Sequence, residues 1–233
     1  MKKFEAVIFD MDGVIIDSEP RHEQAFREVF AEMGYGESHG IDFPKYYGRS
    51  DRALWDDFIA LHQPKETLEY LTEWKQRRFL EIIRKEQPIF ESLPDLVERL
   101  SLRYKLALAS GSLHPVIDEV LAMKNLRRFF PVVVSVQDVG KGKPAPDVFL
   151  RAAQLLAVSP SKCCVIEDSA AGVEAGVNAG MEVIAITNSL PADRLFRATR
   201  VVKQYAEIDR LLLTDNSFSG GEPFLASTNP LQR

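Results

Sequence analysis

The chain of 233 residues carries 29 basic and 34 acidic side chains, so its formal net charge at pH 7 is -5. A negative net charge argues against a general nucleic-acid surface or an anionic-membrane patch, and no apolar stretch is long enough to span a bilayer. The two cysteines, Cys163 and Cys164, exclude a disulfide framework and are expected to be buried free thiols. We therefore expect a cytoplasmic protein.

The first predicted strand, residues 6–9, is apolar on both faces and is followed at once by acidic side chains. Asp10 and Asp12 are separated by one residue, and Gly13 comes next. Strands of this kind are typical of parallel sheets, whose ligands bind at the carboxyl ends of the strands. Two close carboxylates repel each other, and a hard cation such as Mg²⁺ helps both to remain ionised. A polar loop that ends in a glycine turn would explain the same residues.

Residues 17–87 show helical periodicity rather than strand periodicity. Pro20 suits the first turn of the first helix, and Gly34 suits its C-terminal end. The apolar side chains recur every three or four residues, which predicts a helical segment inserted after the first strand. They form three stripes: His22, Ala25, Phe26, Val29, Phe30 and Met33; Leu54, Trp55, Phe58, Ile59 and Leu61; Leu68, Leu71, Trp74, Phe79, Ile82 and Ile83.

The chain after residue 93 alternates between predicted strands and predicted helices. This alternation predicts a parallel sheet with helices on both faces. The strands are predicted at residues 106–109, 132–136, 163–166, 183–186 and 201–202, and the helices at 96–100, 116–123, 148–156 and 170–179. We predict an α/β fold with a Rossmann-like core at 1–16 and 88–213, an inserted α-helical domain at 17–87 and a flexible tail at 214–233.

Three further polar clusters follow predicted strands. Ser110 lies in a Ser-Gly-Ser turn, which suits a phosphate oxygen but would equally cap the next helix. Lys143 lies in a segment that two prolines, Pro144 and Pro146, stiffen, although a single lysine is commonly solvated. Glu167 and Asp168 end another strand, where acidic residues also suit a helix N-terminus. Carboxylates, a hydroxyl and an ammonium group at one sheet edge together favour a phosphate site with a metal.

The motifs resemble those of the haloacid dehalogenase-like hydrolases, in the subgroup that includes β-phosphoglucomutase and many sugar-phosphate phosphatases. The resemblance covers about residues 4–213, and the helical segment matches the cap domain of that family. The matching motifs occur in the family's order, as Asp10-Met11-Asp12-Gly13-Val14, then Ser110, then Lys143-Pro144-Ala145-Pro146-Asp147, then Glu167-Asp168-Ser169.

The resemblance implies a role for each motif residue. Asp10 would be the nucleophile that forms an aspartyl-phosphate, and Asp12 would be the general acid and then the general base. Mg²⁺ would be held by Asp10, by the backbone carbonyl of Asp12 and by Asp168, with Glu167 as a direct or water-mediated ligand. Ser110 would bind a phosphate oxygen, and Lys143 would neutralise charge on the transferring group.

Three residues of the helical segment are candidate substrate contacts by the same resemblance. His22 follows the hinge at a position where the subgroup often has a histidine that assists the second acid, although it also belongs to an apolar stripe. Arg49, in Gly48-Arg49-Ser50, would reach the non-transferring end of the substrate, unless it is a surface arginine in a turn. Lys75 would be a second cation, unless it is solvated.

The sequence departs from the family at two places. Leu113-His114 stands where the mutases have Lys-Asn, and Glu91-Ser92-Leu93-Pro94 replaces a common Pro-Gly hinge. The first departure removes a charged contact for a second phosphate and favours a phosphatase of a small phosphorylated metabolite over a β-phosphoglucomutase-type mutase. Inorganic pyrophosphatase activity and a non-catalytic phosphoacceptor module are further alternatives, but Asp12 favours turnover over a lasting phosphoaspartate. We expect a monomer that binds neither nucleic acid nor membrane.

Overall fold

The computed structural model describes residues 4–47 and 51–214 of the chain. Within these residues, six parallel strands form one sheet: β1 (Ala6–Phe9), β2 (Lys105–Ala109), β3 (Val132–Val134), β4 (Cys163–Glu167), β5 (Glu182–Ile186) and β6 (Arg200–Val202). The strands lie in the order β3-β2-β1-β4-β5-β6. The chain runs outward from β1 in one direction and returns at β4 to run in the other. The carboxyl ends of β1 and β4 are therefore the switch point at which α/β sheets bind ligands.

The segment 17–87, which follows β1, is helical in its described residues, as predicted. It contains α1 (Glu19–Glu32), α2 (Asp51–His62) and α3 (Leu68–Glu86). Pro20 lies in the first turn of α1, and Gly34, with φ of +86°, follows its end. Aromatic side chains of α1 and α2 fill a hydrophobic cluster of their own, in which Phe30 stacks on Phe58 with ring centroids 4.3 Å apart. The last turns of α3 pack instead into the core beside the sheet.

Two hydrophobic clusters cover the two faces of the sheet, because successive strand residues point to opposite sides. One cluster contains Val7 and Phe9 of β1, and the other contains Ala6 and Ile8. Helices α4 (Leu93–Ser101), α5 (His114–Ala122) and α8 (Tyr205–Asp209) pack in the first cluster, and α6 (Asp147–Leu156) and α7 (Ala170–Asn178) pack in the second. The predicted α/β fold with a Rossmann-like parallel sheet is confirmed.

Several element bounds differ from the prediction by one to three residues, and two differences have a clear structural meaning. The third strand ends at Val134 rather than at residue 136, because Ser135 begins a 3₁₀ turn. The Ser135 hydroxyl accepts the Gln137 N–H at 3.1 Å, and the Ser135 N–H donates to Asp138 Oδ2 at 2.8 Å. Leu61, predicted to lie on the buried stripe of α2, is 59% exposed.

The structure also bears on the predictions about the cysteines, membrane-spanning helices and the C-terminal tail. Cys163 and Cys164 are both buried free thiols, and they lie in the two clusters on opposite faces of the sheet. None of the helices in the described part of the chain is long and apolar enough to cross a bilayer. The predicted flexible tail lies outside the described residues, apart from residue 214.

Candidate active site

The carboxyl ends of β1 and β4 bring three buried acidic side chains together. Asp10 directly follows β1, and its N–H donates to the Ile166 carbonyl at 2.9 Å, so the two strand ends are locked side by side. Glu167 is the last residue of β4, and Asp168 follows it. One carboxylate oxygen from each of Asp10, Glu167 and Asp168 lies within 4.8 Å of the others. This cluster offers oxygen ligands only, which is the donor set that hard cations prefer.

The ammonium group of Lys143 contacts two carboxylates of this cluster. Its Nζ lies 2.5 Å from Asp10 Oδ1 and 2.7 Å from Glu167 Oε1. Burial alone would lower the pKa of Lys143, but the charges of Asp10 and Glu167 raise it above its usual value. The ammonium group therefore remains charged and is held directly beside Asp10.

Glu167 is fully buried, and both of its carboxylate oxygens have partners. Oε1 accepts from Lys143, and Oε2 accepts from the N–H groups of Asp168 at 2.8 Å and Ser169 at 2.9 Å and from the Ser169 hydroxyl at 3.0 Å. Gly172 in α7 passes close to this group, because a Cβ there would lie 1.6 Å from Glu167 Oε1. Glu167 thus fixes Lys143 in place, and a side chain at residue 172 would displace it.

The electrostatics of the acidic cluster fit a bound divalent cation. Burial raises the pKa of Asp10 to about 7; the charges of Glu167 and Asp12 add to this rise, and Lys143 opposes it. Burial, followed by the charges of Glu167 and Asp10, raises the pKa of Asp168 well above its usual value. A cation among these carboxylates would favour their ionised forms and relieve the repulsion. The residues present therefore fit Mg²⁺.

Asp168 is oriented by a serine and by a tight backbone turn. The Ser189 hydroxyl donates to Asp168 Oδ2. Gly13 has φ of +72°, and a Cβ there would lie 1.8 Å from the same carboxylate oxygen. Asn188 holds this turn, since its Nδ2 donates to the Gly13 carbonyl at 2.7 Å. The turn after β1 and the loop after β5 together leave space for the Asp168 carboxylate.

Asp12 lies in a different environment from Asp10. The Ser112 hydroxyl donates to Asp12 Oδ2 at 2.7 Å, and His22 Nε2 lies 3.9 Å from Asp12 Oδ1. Burial opposes ionisation of Asp12, but His22 and Ser112 outweigh it and lower its pKa to about 2. The two acids of the first motif therefore have pKa values on opposite sides of the usual value, as expected for carboxylates with different roles.

Ser110 directly follows β2, but it does not line the cavity. It is fully buried, its N–H donates to the Val134 carbonyl at 2.9 Å, and its Oγ accepts the Ser112 N–H at 2.9 Å. Gly111 and Ser112, rather than Ser110, line the adjoining cavity. Binding of a phosphate oxygen by Ser110 stays a prediction.

The acidic cluster lies at the floor of a cavity between the sheet edge and the helical segment. The cavity has a volume of about 570 Å³, a size typical of small-molecule sites. Asp10, Asp12, Lys143 and Asp168 line its floor. The opposite wall is formed by the helical segment, through Glu23, Phe26, Tyr47, Asp51 and Gln76.

Of the three candidate substrate contacts in the helical segment, one lines the cavity, one lies behind it and one is outside the described residues. His22 lines the cavity and faces Asp12. Lys75 is fully buried, with Nζ 2.6 Å from Asp51 Oδ2 and 2.5 Å from His22 Nδ1, so it supports His22 from behind rather than lining the cavity. Arg49 lies outside the described residues, and its predicted contact with the substrate stays a prediction.

Comparison with known proteins identifies the family. The model of the haloacid dehalogenase-like hydrolases matches residues 4–180. The chain belongs to the haloacid dehalogenase-like hydrolases. The predicted family and the prediction of an enzyme of this hydrolase type are thereby confirmed.

Two relatives and one solved structure illustrate the similarity of this hydrolase to known proteins. It is 33% identical over 192 residues to fructose-1-phosphate phosphatase YqaB of Escherichia coli, with 79% of this chain and 97% of that protein covered. It is 36% identical over 192 residues to a phosphorylated carbohydrates phosphatase of Thermotoga maritima, with 80% and 87% covered. A crystal structure of β-phosphoglucomutase from Clostridium difficile is 26% identical, with a TM-score of 0.72 over 88% of this chain and 93% of that chain.

At the Leu113-His114 departure, Leu113 lines the cavity and His114 makes two hydrogen bonds beside it. His114 Nε2 lies 2.9 Å from Asp138 Oδ1, and the His114 N–H donates to Gln137 Oε1 at 2.9 Å. These contacts tie the start of α5 to the 3₁₀ turn after β3. In the described structure, His114 is therefore a structural link between two loops.

Sequence reasoning missed three residues that orient the site of this hydrolase. Ser112 was noted only as part of a turn, and Ser189 follows a predicted strand in the polar run Thr187-Asn188-Ser189, which was an available signal. Asp51 gave no signal, because its partner Lys75 lies 24 residues away on another helix. Such pairs depend on the packing of α2 against α3.

Proposed function

We propose that this hydrolase is a Mg²⁺-dependent phosphatase of small phosphorylated metabolites, with sugar phosphates as the substrate class, and that it acts through an aspartyl-phosphate on Asp10. The observation that carries this proposal is the position of Asp10. Its Oδ1 lies 2.5 Å from Lys143, beside two further carboxylates and at the floor of a cavity of about 570 Å³. The names of the two relatives, a fructose-1-phosphate phosphatase and a phosphorylated carbohydrates phosphatase, support the substrate class.

In the first step, an Asp10 oxygen attacks phosphorus and the bond between phosphorus and the ester oxygen breaks. Lys143 compensates negative charge on Asp10 and on the transferring group, since its ammonium is fixed by Glu167. Asp12 donates a proton to the leaving oxygen. With a pKa of about 2, Asp12 is ionised before the substrate binds. The negative charge of a bound phosphate raises this pKa, and Asp12 takes up the proton for the acid step from solvent or from the monoanionic form of the phosphate ester.

In the second step, water attacks the phosphorus of the aspartyl-phosphate and the bond to the Asp10 oxygen breaks. Asp12, ionised after the first step, accepts the proton of this water and is again protonated. The Ser112 hydroxyl, 2.7 Å from Asp12 Oδ2, holds the carboxylate in one orientation through both steps. Phosphate then leaves through the open cavity.

Asp10 and Asp168 would hold Mg²⁺, together with the backbone carbonyl of Asp12. Glu167 would support this site from its edge, because its Oε1 already accepts from Lys143. When bound, the ion supplies charge neutralisation at the carboxylates and at the phosphate oxygens. Ser189 and Gly13 keep the Asp168 carboxylate aimed at this position.

The helical segment would act as a cap that selects the substrate. Its hydrophobic cluster is largely separate from the two clusters of the sheet, and its side chains form the cavity wall opposite Asp10. We propose that this segment, residues 17–87, is the cap domain and that residues 1–16 and 88–213 are the core. By the family resemblance, Arg49 would reach the non-transferring end of the substrate.

A panel assay tests the proposed function. Phosphate release is measured with and without Mg²⁺ on fructose 1-phosphate, glucose 6-phosphate, phosphoglycolate, pyrophosphate and p-nitrophenyl phosphate. We expect Mg²⁺-dependent release, fastest from a sugar phosphate. Absence of release from every ester would refute the phosphatase, and fastest release from pyrophosphate would refute the substrate class.

A mutase of the β-phosphoglucomutase type is the alternative, since such a protein is among the structural relatives. Leu113 stands where mutases have the lysine of this motif, and the loss of that charged contact for a second phosphate supports the phosphatase. Conversion of β-glucose 1-phosphate to glucose 6-phosphate without free phosphate would favour the mutase. Phosphate equal to the substrate consumed would exclude it.

A further inference from the structure

A row of charged and polar side chains runs from α2 to the active site. Asp51, the first residue of α2, accepts from Lys75 Nζ at 2.6 Å. The same Nζ lies 2.5 Å from His22 Nδ1, and His22 Nε2 lies 3.9 Å from Asp12 Oδ1. Asp51 is thus connected to the second acid of the first motif through two intervening side chains.

The contact between Lys75 and His22 fixes the tautomer of the histidine. A lysine ammonium has three donors and no acceptor, so His22 Nδ1 must accept and carries no proton. The ring proton of a neutral His22 must therefore lie on Nε2, the nitrogen that faces Asp12. The ring plane is also fixed, because His22 stacks on Phe79 with centroids 3.9 Å apart and an interplanar angle of 3°.

Asp12 offers a hydrogen-bond acceptor for the Nε2–H of His22. Asp12 Oδ2 accepts from Ser112, whereas Oδ1 is buried and has no hydrogen-bond partner among the described residues. A buried carboxylate oxygen without a donor is costly, and a small closure of the 3.9 Å gap would supply one. A movement of about 1 Å would bring His22 Nε2 within hydrogen-bond distance of this oxygen.

Asp51 makes this arrangement possible because it compensates the charge of Lys75. The Lys75 side chain is fully buried between aromatic rings, with Nζ 4.7 Å from the Phe26 centroid and 5.3 Å from the Phe79 centroid. Breaking a buried pair leaves an uncompensated charge, which would neutralise or leave its position. Without Asp51, Lys75 would no longer be held as a donor to His22.

We propose that Asp51 is a positioning residue that, through the buried Lys75, fixes His22 as the tautomer with Nε2–H facing Asp12. The kinetic consequence of this arrangement rests on the proposed function, whereas the tautomer itself does not. Asp51 contacts neither the acidic cluster nor Asp12; it lines the cavity wall, and its carboxylate accepts from Lys75. The proposal assigns Lys75 to the support of His22 rather than to the substrate.

Nuclear magnetic resonance of ¹⁵N-histidine-labelled protein tests the tautomer. The His22 signals are assigned with a His22→Asn variant, and the two ring nitrogens are distinguished by their chemical shifts and proton couplings. In the wild type, above the pH at which the ring is doubly protonated, we expect Nδ1 without a proton and Nε2 with one. In Asp51→Asn and in Lys75→Met, we expect Nδ1–H tautomer to appear.

Asp56→Asn is the matched control, because Asp56 lies on the same helix and pairs with Arg52 at the surface. Its His22 signals should equal those of the wild type. An Nδ1–H tautomer in the wild type would overturn the proposal even if a variant failed to fold. Unchanged His22 signals in a folded Asp51→Asn protein would overturn it as well.

Kinetics provide a second readout that a purely structural role would not give. An alkyl ester such as fructose 1-phosphate needs its leaving oxygen protonated by Asp12, whereas nitrophenolate leaves with little assistance. Asp51→Asn should therefore lower kcat for the sugar phosphate roughly tenfold more than for p-nitrophenyl phosphate, whereas loss of a direct contact between Asp51 and the sugar would raise KM. Equal losses on both esters would overturn the proposal. If the wild type hydrolysed neither ester, the proposed function would fail, and the tautomer would still decide the role of Asp51.

Discussion

Replacement of Gly172 by alanine tests how closely α7 packs against Glu167. Helix propensity alone predicts that an alanine in this helix is up to about 1 kcal/mol more favourable than glycine. The structure predicts the opposite sign, because the added Cβ would lie 1.6 Å from Glu167 Oε1 and 1.9 Å from its Cδ. Atoms without a bond between them cannot approach so closely, so the carboxylate must move.

The cost follows from the contacts that Glu167 would lose. Its oxygens accept from Lys143, from two backbone N–H groups and from the Ser169 hydroxyl, all within 3.0 Å. Disruption of a buried ion pair costs about 3–5 kcal/mol, and hydrogen bonds to charged groups contribute about 1.5–3 kcal/mol each. Some of these contacts re-form in a shifted geometry, so we expect Gly172→Ala to lower the free energy of unfolding by about 3–5 kcal/mol.

Urea denaturation and phosphate release are the assays for this variant. The rate of phosphate release should also fall, because Lys143 loses one of its two carboxylate partners. Gly140→Ala is the control, since a Cβ at Gly140 meets no atom within 4 Å, and it should change stability by less than about 0.5 kcal/mol. A Gly172→Ala protein as stable as the wild type would refute the reasoning.

Three further predictions concern the core, the rim and the metal. Phe30→Ala removes a fully buried ring from the aromatic cluster of α1 and α2, and should lower the free energy of unfolding in urea by about 3–5 kcal/mol. The hydrogen bonds from His114 and the Ser135 N–H lower the pKa of Asp138, so its stabilisation is present above the unfolded-state pKa and lost as pH falls through the folded value. The difference in unfolding free energy between wild type and Asp138→Asn should therefore shrink below about pH 4. Chelation of Mg²⁺ should abolish phosphate release, and addition of Mg²⁺ should restore it.

The fold was predictable from the sequence because local patterns and the fold agree. Apolar runs bounded by polar residues located the six strands, and the end of β1 was predicted at the correct residue. The end of β3 was missed because apolar Val136 follows Ser135, while the hydrogen bonds of Ser135 turn the backbone before Val136. A pattern of apolar residues alone does not show that hydrogen bonds of a neighbouring serine end the strand earlier.

The acidic cluster was predictable for a topological reason. The carboxyl ends of neighbouring parallel strands meet at one sheet edge, so Asp10, Glu167 and Asp168 were expected together. The role of Lys75 was not predictable, because whether a lysine is solvated or fully buried depends on the helices around it. Its burial against Asp51 and His22 follows from the packing of α1, α2 and α3.

The central claim, that Asp10 attacks phosphorus, is tested most directly by phosphate release from Asp10→Asn protein. The amide is nearly the same size, but it carries no negative charge to attack phosphorus and is a poorer metal ligand. We predict no Mg²⁺-dependent release above the rate without enzyme, with a circular dichroism spectrum like that of the wild type. Release comparable to the wild type, from a sample shown by mass spectrometry to contain only asparagine at this position, would contradict the account.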